Sequence, residues 1–295
     1  MTKTILLSAP YMLPTVERFR PVFAKYGLEL IVPEVEERME AEQILEYAGQ
    51  FDGAVCGDDR YTAEVLAACA PRLKVISKWG TGIDSLDRVA AAELGIQIRN
   101  TPDAFTDPVA DSVMAGVLSF ARQTPWLDKA IKAGEWRKLP GRSLFECTLG
   151  VIGVGRIGKA VIRRARGFGM RLLGYDTAEV PDSFLADMVS LEELLAQSDF
   201  VSLNADLNPT SHHILNAETI AQMQAHAVVV NTARGPLVDE PALIAALQAG
   251  TLAGAMLDVF EYEPLPADSP LRTMDNVLLA PHNSNSSPAA WERVH

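Results

Sequence analysis

The segment Leu149-Gly150-Val151-Ile152-Gly153-Val154-Gly155-Arg156-Ile157-Gly158 limits the folds open to this chain more than any other. An apolar strand pattern runs into the spacing G-x-G-x-x-G, and an apolar-periodic helix pattern follows with Ile157, Val161 and Ile162 on one face. Gly153 permits the tight turn, Gly155 lets a backbone approach a pyrophosphate, and Gly158 lets the helix pack closely on the strand. A helix starting near Arg156 then aims its unsatisfied amides at phosphate oxygens. A second apolar strand, Arg171–Tyr175, ends at Asp176, 18 residues beyond Gly158. That is where a carboxylate accepts from the adenosine ribose hydroxyls. Thr177 follows, not an arginine, and Asp176 would repel a 2′-phosphate, so the pattern favours NAD over NADP.

Strand patterns continue on this side of the chain at 199–203, 227–231, 252–257 and 277–280, with helices between, in the order of a Rossmann domain. Residues 1–100 alternate in the same way. Strands are predicted at 4–9, 28–32, 53–56, 73–77 and 96–98, with helices around 16–26, 44–47, 62–70 and 87–94. Alternation of this kind calls for a parallel sheet covered on both faces. Between the arrays, Asp107-Pro108 reads as a helix start, and Val109, Val113, Val117 and Phe120 continue an apolar face to about Arg122. The Trp-, Pro- and Gly-bearing stretch 125–145 reads as an arm or connection, either an oligomer contact or a loop packed on its own molecule. The fold class is therefore α/β, with two Rossmann/flavodoxin-like parallel-sheet domains and an inter-domain cleft. The expected division is 1–100 plus 284–295 for one domain and 101–283 for the other.

A chain of 295 residues suits two domains. Its net charge of −12 disfavours nucleic acid and anionic membrane as partners. No stretch is long enough to span a bilayer, and the apolar run at 5–9 is too short for a signal core. Three cysteines, Cys56, Cys69 and Cys147, lack metal or Cys-x-x-Cys spacing, which suits a reduced cytoplasmic setting with no metal.

An acidic chain that binds an acidic small molecule needs local positive charge, and Arg234 supplies a candidate in Asn231-Thr232-Ala233-Arg234-Gly235. A guanidinium clamps a carboxylate through two parallel hydrogen bonds. His282, in Ala280-Pro281-His282-Asn283, can exchange a proton near neutral pH. Glu261 and Glu263 both stand in the preceding Glu-Tyr-Glu-Pro segment, and a carboxylate beside the histidine would favour its protonated form. His212, His213, His226 and His295 lack strand-end placement and read as structural or solvent-facing, with His226 capping a helix. Arg163, Arg164, Arg166 and Arg171 read as a solvated face.

Six motifs in one order resemble the D-2-hydroxyacid dehydrogenase family, particularly its phosphoglycerate dehydrogenase-like members. They are Gly80-Thr81-Gly82-Ile83-Asp84, Asn100-Thr101-Pro102, the Gly153 fingerprint, Asn231–Gly235, Asp258-Val259-Phe260 through Glu263-Pro264, and Pro281-His282. The likeness spans nearly the whole chain. It implies an NAD-dependent enzyme that moves a hydride between the nicotinamide and C2 of a small 2-hydroxy or 2-keto acid. In the catalytic set it implies that Arg234 binds the substrate carboxylate and carbonyl oxygen, that His282 is the acid/base, and that Glu263, rather than Glu261, holds His282 protonated. It implies a cofactor set of Gly153, Gly155, Arg156, Ile157, Gly158, Asp176, Thr232 and Asp258, the last toward the nicotinamide carboxamide. It implies a substrate set of Lys78, Gly80, Thr81 and Gly82 with Arg234, and a homodimer built through the second domain.

Departures bear on the substrate. Some phosphoglycerate dehydrogenases place arginines after the third strand to meet a phosphate, whereas this chain has Gly57-Asp58-Asp59-Arg60, which weakens the case for a phosphorylated acid. Asn283-Ser284-Asn285 follows His282 in place of the more frequent Ile-Gly or Ile-Ala. Alternatives within the family are a hydroxypyruvate/glyoxylate reductase and an NADH-sensing co-repressor-like binding protein. Relatives continue beyond the position of His295 through a closing helix, so a weakened first domain without that helix, and no amino-acid feedback extension, are expected.

Overall fold

The computed structural model describes residues 2–181 and 186–295 and divides them into two compact units, 1–105 with 287–295, and 106–286. The first unit is a parallel five-stranded sheet of β1 (Lys3–Leu7), β2 (Leu28–Ile31), β3 (Gly53–Cys56), β4 (Val75–Lys78) and β5 (Gln97–Arg99), in the order β2-β1-β3-β4-β5. This is the flavodoxin-like order, which reverses direction between β1 and β3. Its core gathers Leu6, Ile44, Phe51, Tyr61, Leu66 and Ile76, all buried. The expected strands and helices form within two residues of their anticipated ends, except the helix expected at 44–47, which spans Ala41–Leu45 because Glu40 and Gln43 form a capping box at its start. Pro288–Val294 forms a helix within this unit, where the sequence reading expects no closing helix. Ser287 caps it through the Ala290 amide, and Trp291 packs on Tyr11 with ring centroids 5.1 Å apart.

Among its described residues the second unit holds seven parallel strands: β6 (Thr148–Ile152), β7 (Arg171–Tyr175), β8 (Asp187–Met188), β9 (Phe200–Leu203), β10 (Val228–Asn231), β11 (Gly254–Leu257) and β12 (Val277–Leu279). Their order is β12-β11-β10-β9-β6-β7-β8, so the crossover direction reverses between β6 and β9. Along β10, Val228 and Val230 enter one core while Val229 enters the other, as the two-residue period of a strand requires. β8 escapes sequence reading because two exposed residues carry no periodicity.

The helix predicted from Asp107 spans Thr106–Arg122. The stretch expected as an arm or loop contains a helix, Thr124–Lys132, with Pro125 in its first turn. Proline lacks only an amide that a first turn leaves unpaired anyway, so it starts this helix rather than preventing it. Trp126 anchors the helix by donating from Nε1 to the Asp275 carbonyl at 2.6 Å and packing tilted against Phe120, with ring centroids 4.9 Å apart.

Candidate functional site

Strand β6 is buried along its whole length and delivers the chain to Gly153. There φ is +87°, and a Cβ would lie 2.5 Å from the Ala205 amide nitrogen, so no other residue fits the turn. At Gly158 a Cβ would collide with the Gly153 carbonyl. Gly155 differs, since the space its Cβ would fill is open. It precedes the helix Arg156–Gly167 and offers no side chain to cap it. Asp176 accepts from the Val154 amide at 2.7 Å and from the Ala178 amide at 2.9 Å, bracing the loop from the end of β7. Two polar atoms, Asn204 Oδ1 beyond β9 and Thr232 Oγ1 beyond β10, are buried without a hydrogen-bond partner among the described residues. An uncapped helix start, an open glycine and orphaned polar groups at one carboxyl edge fit a dinucleotide. Gly155, Arg156, Ile157 and the Asp176 carboxylate are the groups that would hold it.

Arg234, Glu263 and His282 follow β10, β11 and β12, so three adjacent parallel strands deliver them to the same edge. The Asn231 side chain fixes the Arg234 turn by donating to the Arg234 carbonyl at 2.8 Å and accepting from the Ala233 amide at 3.0 Å. The Arg234 Nη1 donates to the Ala233 carbonyl at 2.7 Å. Gly235 backs directly onto the Phe260–Glu261 peptide, where a Cβ would overlap the Phe260 carbonyl. That contact locks the Arg234 segment to the one that carries Glu263.

Glu263 accepts from the Phe260 amide at 3.0 Å through one oxygen and lies 2.9 Å from His282 Nδ1 through the other. Burial pushes its acidity down, but the His282 hydrogen bond and charge, the Phe260 amide and the Arg234 charge outweigh it, and the net pKa falls below the usual glutamate value. With Nδ1 bound to a carboxylate, proton exchange falls to Nε2. His282 sits at φ +49°, an uncommon conformation for a side-chain-bearing residue, held by Asp258. The buried Asp258 carboxylate accepts from the Asn283 amide at 2.7 Å and the Ser284 amide at 2.8 Å, and the His282 amide donates to the Asp258 carbonyl at 2.7 Å.

In the first unit, Lys78 is buried and bonds Asp58 Oδ1 at 3.0 Å and the Trp79 carbonyl at 3.2 Å. The amide of Gly80, a member of the expected substrate set, is already engaged, donating to Thr101 Oγ1 at 3.1 Å. The Thr81 and Gly82 amides have no acceptor among the described residues.

Sequence reading missed Gly235, Asn231 and the Phe260 amide as supports, since their roles arise between strands distant in the chain. Glu261, which the resemblance passes over in favour of Glu263, lies 2.9 Å from His213 Nε2. His226 binds Asp199 at 2.7 Å, where a helix cap is expected. Arg164, read as solvated, pairs with Asp111 at 2.6 Å and Asp107 at 3.0 Å.

Fold and site together define an α/β protein with a dinucleotide-binding unit. Comparison with known proteins narrows this. The family profile "D-isomer specific 2-hydroxyacid dehydrogenase, NAD binding domain" matches residues 114–284. A glyoxylate reductase of Korarchaeum cryptofilum is 41% identical over 245 residues, 80% of this chain and 74% of its own. A D-3-phosphoglycerate dehydrogenase of Methanocaldococcus jannaschii is 41% identical over 263 residues, 87% of this chain, which spans only 50% of that relative. The crystal structure of a glyoxylate reductase from Paecilomyes thermophila superposes with a TM-score of 0.87 at 32% identity, covering 99% of this chain and 92% of that one. The chain belongs to the D-2-hydroxyacid dehydrogenase family and is an NAD-dependent oxidoreductase acting on the CH–OH group of 2-hydroxy acids.

Proposed function

We propose that this enzyme reduces a small, unphosphorylated 2-keto acid of the glyoxylate or hydroxypyruvate type to the D-2-hydroxy acid. The observation that carries the reading is the Glu263–His282 pair at 2.9 Å, on strand ends shared with Arg234. Arg234 binds the substrate carboxylate and the C2 oxygen, where negative charge grows during reduction. His282 delivers the proton from Nε2 to that oxygen, and Glu263 keeps the ring charged and oriented. The Thr81 and Gly82 amides of the first unit take the carboxylate, with Lys78 tuning the charge near that loop. Residues 1–105 with 287–295 thus carry the substrate loop, and 106–286 carry the cofactor set together with Arg234, Glu263 and His282. Asp258 acts by setting the His282 turn, and its two amide contacts support that over direct binding of the carboxamide. When bound, NADH supplies the hydride.

Homodimerisation through the second unit is part of the same reading, supported by exposed Ile131, Trp136 and Phe145 on or near the 125–145 stretch. A reducing, cytoplasmic setting is supported by three buried free cysteines. NADH oxidation with glyoxylate, hydroxypyruvate, 3-phosphohydroxypyruvate and 2-oxoglutarate tests the substrate. His282→Ala should lower kcat by about 10²- to 10⁴-fold with NADH binding retained, and unchanged turnover would remove its assigned role. Tight NADH binding with no acid turned over would favour the co-repressor-like reading instead.

A further inference from the structure

The first sheet reverses direction between β1 and β3, and the carboxyl ends of the strands at such a point form a ligand crevice. Ser8 leaves β1 there, Gly57-Asp58-Asp59 leaves β3, and Lys78 ends β4. Asp59 is fully buried and pins the turn by accepting from the Ser8 hydroxyl and from the Met39 amide at 2.7 Å. Gly57 presses on the β1 exit, where a Cβ would come 2.8 Å from the Pro10 ring. With its neighbours fixed on both sides, Asp58 is aimed across the crevice mouth. Its Oδ1 lies 3.0 Å from Lys78 Nζ, and its side chain is 50% exposed against 4% for the lysine. The ammonium sits at the root of the Trp79–Gly82 loop, 3.3 Å from where a Gly80 Cβ would be.

We propose that Asp58 sets the charge selectivity of the reaction. It holds Lys78 in a neutral pair with the acid on the solvent side, so an incoming keto acid whose C3 substituent is uncharged is accepted over one that carries a second anion. A second anionic group would meet a lysine already paired and would lie close to the Asp58 carboxylate. A cation that would otherwise recruit a phosphate or a distal carboxylate is thereby withheld. This rests on the reading that the Trp79–Gly82 loop receives the substrate.

The test compares kcat/KM with NADH for hydroxypyruvate and 3-phosphohydroxypyruvate, which differ only in the phosphate, in the full-length enzyme and in Asp58→Asn. The wild type should prefer hydroxypyruvate. The variant should shift the ratio toward the phosphorylated acid by at least about tenfold, chiefly through a lower KM, and the double variant D58N/K78M should lose that shift. An unchanged ratio with hydroxypyruvate turnover intact would overturn the role of Asp58 alone. A shift that persists in the double variant would overturn the role of Lys78 as the released cation. A wild type that binds NADH yet turns over neither acid would overturn the substrate reading, and this proposal with it.

Discussion

Glu263→Gln removes a single negative charge while keeping the side chain's size, and it probes the pairing at the centre of the site. The charges of Glu263 and protonated His282 lie about 4 Å apart, worth about 4 kcal/mol at an effective dielectric near 20. The two side chains are 30% and 32% exposed, so solvent screening reduces this to about 1–3 kcal/mol. Hydrogen bonding adds to the effect. Glu263 accepts at both oxygens, from the Phe260 amide and toward His282 Nδ1, whereas an amide can accept at only one. If the glutamine oxygen keeps the Phe260 amide, its NH₂ faces Nδ1 and favours a neutral ring. The basic limb of the kcat/KM profile for keto-acid reduction should therefore move to lower pH by about one to two units. Rates above that limb should fall about 10- to 100-fold and recover as the pH is lowered. The assay is NADH oxidation from pH 5 to 10 with the preferred acid. A limb that stays in place, moves upward, or gives way to a uniform loss at every pH would refute the electrostatic role.

Asp176→Ala removes a charge and two backbone contacts beside the glycine loop, so the kcat/KM preference for NAD(H) over NADP(H) should fall about tenfold or more. Unchanged discrimination would dismiss the ribose contact. Gly235→Ala drives a methyl into the Phe260 carbonyl, and urea denaturation should show a loss of about 3 kcal/mol or more; a variant of wild-type stability would show that this contact does not constrain the site. Burial pushes the Asp59 carboxyl up to about 6 despite its hydrogen bonds to Ser8 and Met39. Its folded value exceeds its unfolded one, so the associated stability is fully present below about pH 4 and lost as pH rises through about 6. Asp59→Asn should thus gain relative to the wild type between pH 4 and 7, by at most about 3 kcal/mol, and keep that gain at pH 8. Denaturation curves whose difference does not change with pH would contradict it.

Much of this architecture is written locally. The glycine spacing from Gly153 to Gly158, the apolar strand runs and the acid at Asp176 each depend on neighbours within one strand-turn-helix unit. Local propensity and periodicity are enough to read them. The Thr124–Lys132 helix was hidden because proline and tryptophan resemble loop composition, and its anchor on Asp275 is remote in sequence. β8 was hidden because an edge strand of two residues has no pattern to repeat.

The candidate site divides the same way. Residue types and motif order in the sequence single out Arg234, Glu263 and His282, because proton transfer and carboxylate binding need those functional groups wherever they stand. The chain order does not reveal that Gly235 braces the Glu263 segment, that Asp258 sets the His282 turn, or that Asp58 neutralises Lys78. Those relations exist only after parallel strands bring together ends that lie some 20 to 25 residues apart. Sequence by itself determined which chemistry is available. Tertiary structure decided which charges meet, because Coulomb and hydrogen-bond energies depend on separation in space and on burial rather than on position along the chain.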